Sequence, residues 1–259
     1  MSHQDTYRRN EAYANVLANW DASFYARYAD TLQPTRTGAR VLDVGCGVGQ
    51  VVARLTDAGF EAHGVDVSEP NIRRARQISE RCQLYDGHRL PFPDAFFAAA
   101  GACNVLEHVE EPETFILELV RVTEPAGHVV LSSPNFLRAF GWRDYHPHMR
   151  GWRNKWRNWQ RLMHKRRQIR KTPEAVRFDR MPPIFKEPFS PDDDAIVATN
   201  ALEIAFFLRR AGCAIEQVSC IDRYVPRLID RLLNLTPFRY LVLNAFVVAR
   251  KKTDGITFT

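Results

Sequence analysis

The sequence predicts an α/β fold: a doubly wound, mostly parallel seven-stranded sheet of Rossmann-like type with helices on both faces. Three observations carry this reading. Short apolar runs alternate with amphipathic helical stretches from residue 38 onward. The first run ends in a glycine-rich turn, Gly45-Cys46-Gly47-Val48-Gly49. The chain then closes on helix, strand, turn and strand, which suits a sheet finished by an antiparallel strand.

Residues 1–37 read as a helical, aromatic cap containing Tyr7, Tyr13, Trp20, Phe24, Tyr25 and Tyr28. Arg40–Val44 is a short buried strand, and Gln50–Ala58 a helix closed by Gly59. Glu61–Asp66 is the second strand, Glu69–Ser79 a helix, and Gln83–Asp86 the third strand. Ala95–Asn104 is the fourth, followed by the helix Pro112–Thr123 with Phe115, Leu119 and Val122 on its apolar face. Pro125-Ala126-Gly127 turns into a fifth strand, His128–Ser132. The alternation then breaks for about sixty residues, longer than an ordinary connection. It resumes with a helix at Asn200–Ala211 capped by Gly212, a strand at Ala214–Cys220, a helix at Tyr224–Leu235 and a last strand at Leu241–Ala249. Residues 38–134 and 199–251 therefore form one domain, and 135–198 an insert.

Composition narrows the class. The 259 residues suffice for one domain with a proper core, and no repeat or low-complexity run is present. The segment Met1–Asn10 is polar rather than an apolar leader. No run of roughly 18 uncharged apolar residues argues for a spanning helix. Five cysteines, without a C-x-x-C pair, suggest neither a disulfide framework nor a zinc site, and a reducing cytoplasm is expected. The charge is uneven. Between Arg138 and Arg180 stand 14 Lys and Arg against three acids, a local net of +11 in a chain of net +6, which leaves −5 for the rest.

Glycines at the first turn let a ligand approach the backbone at the carboxyl edge of the sheet. That alone would also suit a nicotinamide enzyme, but the dinucleotide fingerprint starting at Gly45 wants Gly or Ala where Gln50 stands. Acids refine the reading. Asp66 ends the second strand, where a carboxylate can accept from ribose hydroxyls. Asp86, followed by Gly87, ends the third and can accept from an adenine amino group. Asp43, near the end of the first, suits an ammonium group. Three acids at adjacent strand ends fit a nucleoside with a cationic tail, and they would repel a pyrophosphate.

These segments resemble the class I S-adenosylmethionine-dependent methyltransferases. The matching pieces are LDVGCGVG at 42–49, GVDVSE at 64–69, LPFPDAFFAAAGACNVLEHV at 90–109 and PETFILELVRVTEPAGHVVLSSPN at 112–135. The resemblance implies S-adenosylmethionine as cofactor. It implies that Gly45, Gly47 and Gly49 wrap the methionine part, with Cys46 in the same turn. Asp66, with Val67 beside it, would hold the ribose, Asp86 and Gly87 the adenine, and Asn104 would meet the methionine portion.

Transfer to a hydroxyl needs alignment and a base. The candidates are His108, which follows the fourth strand, and His146 and His148 in the insert. Quinone-type relatives often carry an acid four residues before that histidine, for metal. Asn104 stands there, so no metal is expected.

From Trp152 onward, Trp156, Trp159 and Met163 fall at helical spacing, with basic residues over much of the remainder. Three readings compete. The tryptophan stripe packs on the sheet domain as a lid, which is preferred; or residues 152–171 lie on an anionic membrane at the inner membrane surface; or they bind RNA. The mixed apolar and basic stretch Tyr224–Tyr240 slightly favours the membrane. The leading expectation for function is an O-methyltransferase acting on a sugar, lipid-linked or aromatic hydroxyl. An RNA methyltransferase is disfavoured because Asn104-Val105-Leu106-Glu107 replaces the Asn/Asp-Pro-Pro-aromatic tetrad of amino-group acceptors. A non-catalytic cofactor-binding scaffold is the third alternative. Oligomeric state is not legible.

Overall fold

The computed structural model describes residues 5–141, 144–184, 192–221 and 227–253. Three helices come first, α1 (Asp5–Arg8), α2 (Glu11–Ala18) and α3 (Ala26–Leu32). Alternation follows: β1 (Arg40–Val44), α4 (Gln50–Asp57), β2 (Glu61–Asp66), α5 (Glu69–Ala75), β3 (Cys82–Leu84), β4 (Phe97–Cys103), α6 (Pro112–Val122) and β5 (Thr123–Ser133). The insert carries α7 (Trp152–Lys171), and the chain ends with α8 (Ala201–Arg210), β6 (Cys213–Ile221), α9 (Arg227–Asn234) and β7 (Asn244–Lys251).

The sheet order is β3-β2-β1-β4-β5-β7-β6, with β7 antiparallel to both its neighbours and the other pairs parallel. The order reverses between β1 and β4, so a crevice opens at their carboxyl ends, where such sheets bind ligands. β1 and β4 are buried along most of their length, as continuous apolar strands in a parallel sheet should be. On one face α6 buries Phe115, Ile116, Leu119, Val120 and Val122 against β4, β5 and α8. On the other, α3 and α4 bury Tyr28, Leu32, Val51, Val52 and Leu55.

Several predicted boundaries shift. The helix from Glu69 stops at Ala75, and Gln77 and Ile78 continue as tight turns with bonds to Arg74 and Ala75. β3 ends at Leu84, so Asp86 lies beyond the strand. β4 begins at Phe97 rather than Ala95. β5 begins at Thr123, and its expected turn is an irregularity inside the strand, where Ala126 has φ 62°. The last strand starts at Asn244, because Leu241 closes a turn onto Phe238. Tyr224, the expected start of the preceding helix, lies outside the described residues, as does Trp142.

The insert forms a small core of its own from Phe136, Leu137, Met149, Leu162, Met181, Ala195 and Ala198. The first half of the tryptophan stripe does not pack inward, whereas Met163 packs against this core. Trp152 is 75% exposed and Trp156 57%, while the buried positions of α7 are Asn158, Leu162 and Lys165. Asn158 Nδ2 donates to the carbonyls of Phe136, Arg138 and His148 at 3.1–3.3 Å. Lys165 Nζ meets Asp179 and the fully buried Glu203, each at 2.7 Å. No helix among the described residues is long and apolar enough to cross a membrane.

Candidate active site

A cavity of about 490 Å³ opens at the carboxyl ends of β1, β2 and β4. Its floor is the turn after β1. Gly45 there has φ 73°, and a Cβ on it would sit 2.3 Å from Val105 Cγ2, so only glycine fits. The carboxylate of Asp66 fixes this turn from the next strand: Gly47 N donates to Oδ2 at 2.9 Å and Ser68 N to Oδ1 at 2.8 Å. Asn104 ends β4 in the left-handed region, φ 55°, which asparagine tolerates better than most residues.

Seven of the residues expected to hold the cofactor line this cavity: Asp43, Gly45, Cys46, Gly47, Asp66, Val67 and Asn104. Asp43 is 3% exposed, and burial pushes its carboxyl up to about 7 despite the 2.9 Å hydrogen bond from Tyr28 Oη. No ion pair reaches it among the described residues, so it suits a cationic ligand. Burial also raises Asp66, against the amide bonds that favour its charge. The Cys46 thiol is pushed up by its hydrogen bond with Cys82 and by burial, which leaves it a packing group rather than a nucleophile.

Asp86 corrects the expectation. Its carboxylate accepts from His88 N at 2.8 Å and Arg89 N at 3.0 Å, which lowers its pKa and makes it a turn former. It does not line the cavity, and neither does Gly87; Tyr85 does. Gly49 also lies outside the lining, as the left-handed N-cap of α4.

The three histidines separate. His146 is fully buried, edge-on to Phe136 and stacked on His148 at 5.3 Å, within the insert core. Neither His146 nor His148 lines the cavity. His108 does. Tyr7 Oη lies 3.0 Å from its Nδ1 and donates to Asp194 Oδ2. Nε2 faces Glu107 Oε1 at 3.8 Å and Asp192 Oδ1 at 3.9 Å. Burial alone would lower the imidazole pKa, but Asp194, Glu107 and Asp192 outweigh it and raise it. Glu107 is itself pushed up to about 7 by burial, and its Oε2 accepts from Ser133 Oγ at 2.8 Å. Glu107, His108 and Asp192 bring ligand-type atoms within 4.8 Å of one another, the group among the described residues that could hold a metal ion.

The roof is formed by the N-terminal segment: Tyr13, Val16 and Leu17 of α2, with Trp20, Phe24 and Tyr25. The insert contributes Asp192 and Asp194 from its far end, not its tryptophan helix. Sequence reasoning passed over both acids, although three consecutive aspartates in a basic insert were a visible signal.

Residues 42–131 match the family model of a methyltransferase domain. An uncharacterized methyltransferase of Mycobacterium sp. (strain KMS) is 37% identical over 129 residues, 49% of this chain and 51% of the relative. A ubiquinone biosynthesis O-methyltransferase of Rhodopseudomonas palustris (strain BisB18) is 32% identical over 104 residues, 38% of this chain and 41% of that protein. The chain thus spans about half the length, or less, of these curated relatives. Among solved structures, an S-adenosylmethionine-dependent methyltransferase from Mesorhizobium loti superposes with TM-score 0.57 at 20% identity, covering 89% of this chain and 98% of that one, a likeness of fold.

Proposed function

We propose that this chain, whose residues 42–131 match the methyltransferase-domain model, is a class I S-adenosylmethionine-dependent methyltransferase that methylates a hydroxyl oxygen of an apolar acceptor, aromatic or lipid-linked. The observation that supports this most is the position of His108, held by Tyr7 and three carboxylates in the same cavity as the cofactor residues.

The donor set fits the cofactor. Asp66, Gly45, Gly47 and Asp43 line one cavity, so Asp66 would accept from a ribose diol, the Gly45–Gly47 backbone would carry a methionine tail and Asp43 would meet its cationic end. S-adenosylmethionine supplies a methyl group already activated on a sulfonium. What remains for the protein is alignment, desolvation and proton removal. The aromatic roof of Tyr13, Trp20, Phe24 and Tyr25 binds an apolar ring or chain and excludes water. His108 takes the hydroxyl proton at Nε2. The imidazolium then formed is stabilised by Asp194, Asp192 and Glu107.

The test is mass spectrometry of candidate hydroxylated aromatics and lipid extracts, incubated with the protein and methyl-deuterated cofactor. Label in an ether bond is expected, and its loss on His108→Ala. Label on nitrogen or carbon would overturn the oxygen assignment.

A further inference from the structure

α7 is twenty residues long and carries nine Lys and Arg without one acid. Its cations divide sharply. Lys155, Arg161 and Lys165 turn inward and pair with Asp144, Asp179 and Glu203 at 2.6–2.7 Å. Arg153, Arg157, Arg166, Arg167, Arg170 and Lys171 are exposed, and none has a carboxylate partner among the described residues. Trp152 and Trp156 stand exposed on the same helix, Trp156 stacked on Trp159 at 5.1 Å.

α9 carries an exposed leucine stripe, with Arg231 exposed beside it. Leu228, Leu232 and Leu235 recur at i, i+4 and i+7 and are 70%, 57% and 77% exposed. That orientation is fixed rather than frayed. Asn234 Oδ1 accepts from Cys220 N at 2.8 Å and its Nδ2 donates to Cys220 O at 3.1 Å, while Leu233 packs on Cys220, Val242 and Leu243.

α7 and the turn that follows α9 both attach to the segment leaving β5. Asn158 of α7 holds the carbonyls of Phe136 and Arg138, and Ala139 and Phe140 donate to Leu241 O at 2.9 and 3.1 Å. Phe140 and Phe238, both half-exposed, meet at 5.9 Å. This is the end of β5 that pairs with the start of β7, the carboxyl edge that also carries the cavity.

We propose that α7 and α9 dock this protein on an anionic membrane surface. The exposed arginines would meet lipid phosphates, and Trp152, Trp156 and the leucine stripe would enter the interfacial layer. The leucines decide between partners. Nucleic acid would satisfy the arginines and stack on the indoles, but it offers aliphatic stripes nothing. A second copy would bring two unpaired cationic helices together, which charge opposes. The proposal is independent of the reaction assigned to the cavity.

The whole protein is sedimented with vesicles of equal phosphatidylglycerol and phosphatidylcholine, and with phosphatidylcholine alone. Binding to the anionic vesicles only, weakening as salt rises, is expected. Replacing Leu228, Leu232 and Leu235 by Ser, or Arg153, Arg166, Arg167 and Arg170 by Gln, should each lower the partition constant by about tenfold or more. No binding by the unaltered protein overturns the proposal whatever the variants do. So does equal binding to neutral vesicles. Tight RNA binding that the leucine variant retains, or a dimer that the leucine variant abolishes, without vesicle binding, assigns the surface to those partners instead.

Discussion

Asp66 has two duties. It fixes Gly47 and Ser68 through their amides, and it lines the cavity, where the proposed function assigns it the ribose. Asp66→Ala should weaken S-adenosylmethionine binding in calorimetry by about 1.5–3 kcal/mol, the range for hydrogen bonds to a charged group. Unchanged affinity would remove it from the cofactor site. His108 gives a pH signature. Its pKa is raised by Asp194, Glu107 and Asp192, so the acidic limb of kcat/KM should lie above the ordinary histidine value of 6.5, with activity rising as the proton leaves. Asp194→Asn removes one of those charges and should move the limb to lower pH. His108→Ala should cost about 10²–10⁴-fold in turnover with cofactor affinity kept. At this scale the sequence was legible where a residue's position follows from its strand, as for Asp43 and Asp66, which both line the cavity. It misled where a side chain could satisfy itself locally, as Asp86 does on two amides. It was silent on Asp192 and Asp194, which reach His108 across more than eighty residues of chain.

α7 shows what an apolar repeat cannot decide. Trp152, Trp156 and Trp159 share one helical stripe, but the face that packs is Asn158, Leu162 and Lys165. Polar groups can occupy an inner face when every atom finds a partner, and Asn158 on three carbonyls with Lys165 between two carboxylates does so. Lys165→Ala would leave Glu203 buried without its cation and should destabilise the fold by about 3–5 kcal/mol. The loss has a pH dependence. Burial has raised Glu203 from 4.5 to about 7, so its contribution is complete below 4.5 and fades as pH rises through 7. Without Lys165, which lowers that value, the group resists ionisation further, and thermal stability should fall more steeply between pH 5 and 8 than in the unaltered protein. Parallel melting curves across that range check this. The sheet elements were more legible, because their apolar runs are short and bounded by glycine, as at Arg40–Val44.

On the scale of the whole molecule, the cavity has a sheet edge for its floor and the N-terminal segment for its roof, so one path for a ligand runs past that segment. The sequence showed an aromatic cap at 1–37 but not where it lies, since nothing local tells a helix which distant edge it covers. Tyr7 and Tyr28 tie the segment to Asp194 and Asp43 through buried hydrogen bonds, whereas the polar ties of α2 and the turn after it are mostly exposed. Glu11 of α2 pairs with Arg73 at 2.8 Å and Arg74 at 3.3 Å on α5, Asn15 accepts from Arg74 at 2.6 Å, and Gln50 holds the carbonyl of Trp20 at 3.1 Å. Exposed pairs of this kind contribute at most about 1 kcal/mol to global stability. The same amount at the hinge of a roof is a fivefold change in an opening equilibrium. Glu11→Ala should therefore raise the dissociation rate of bound cofactor by up to about fivefold while leaving the melting temperature nearly unchanged. Trp20, which lines the cavity, offers a fluorescence signal for a stopped-flow displacement measurement. An unchanged dissociation rate would mean that ligands pass between the roof and the Asp192–Asp194 edge, without lifting α2.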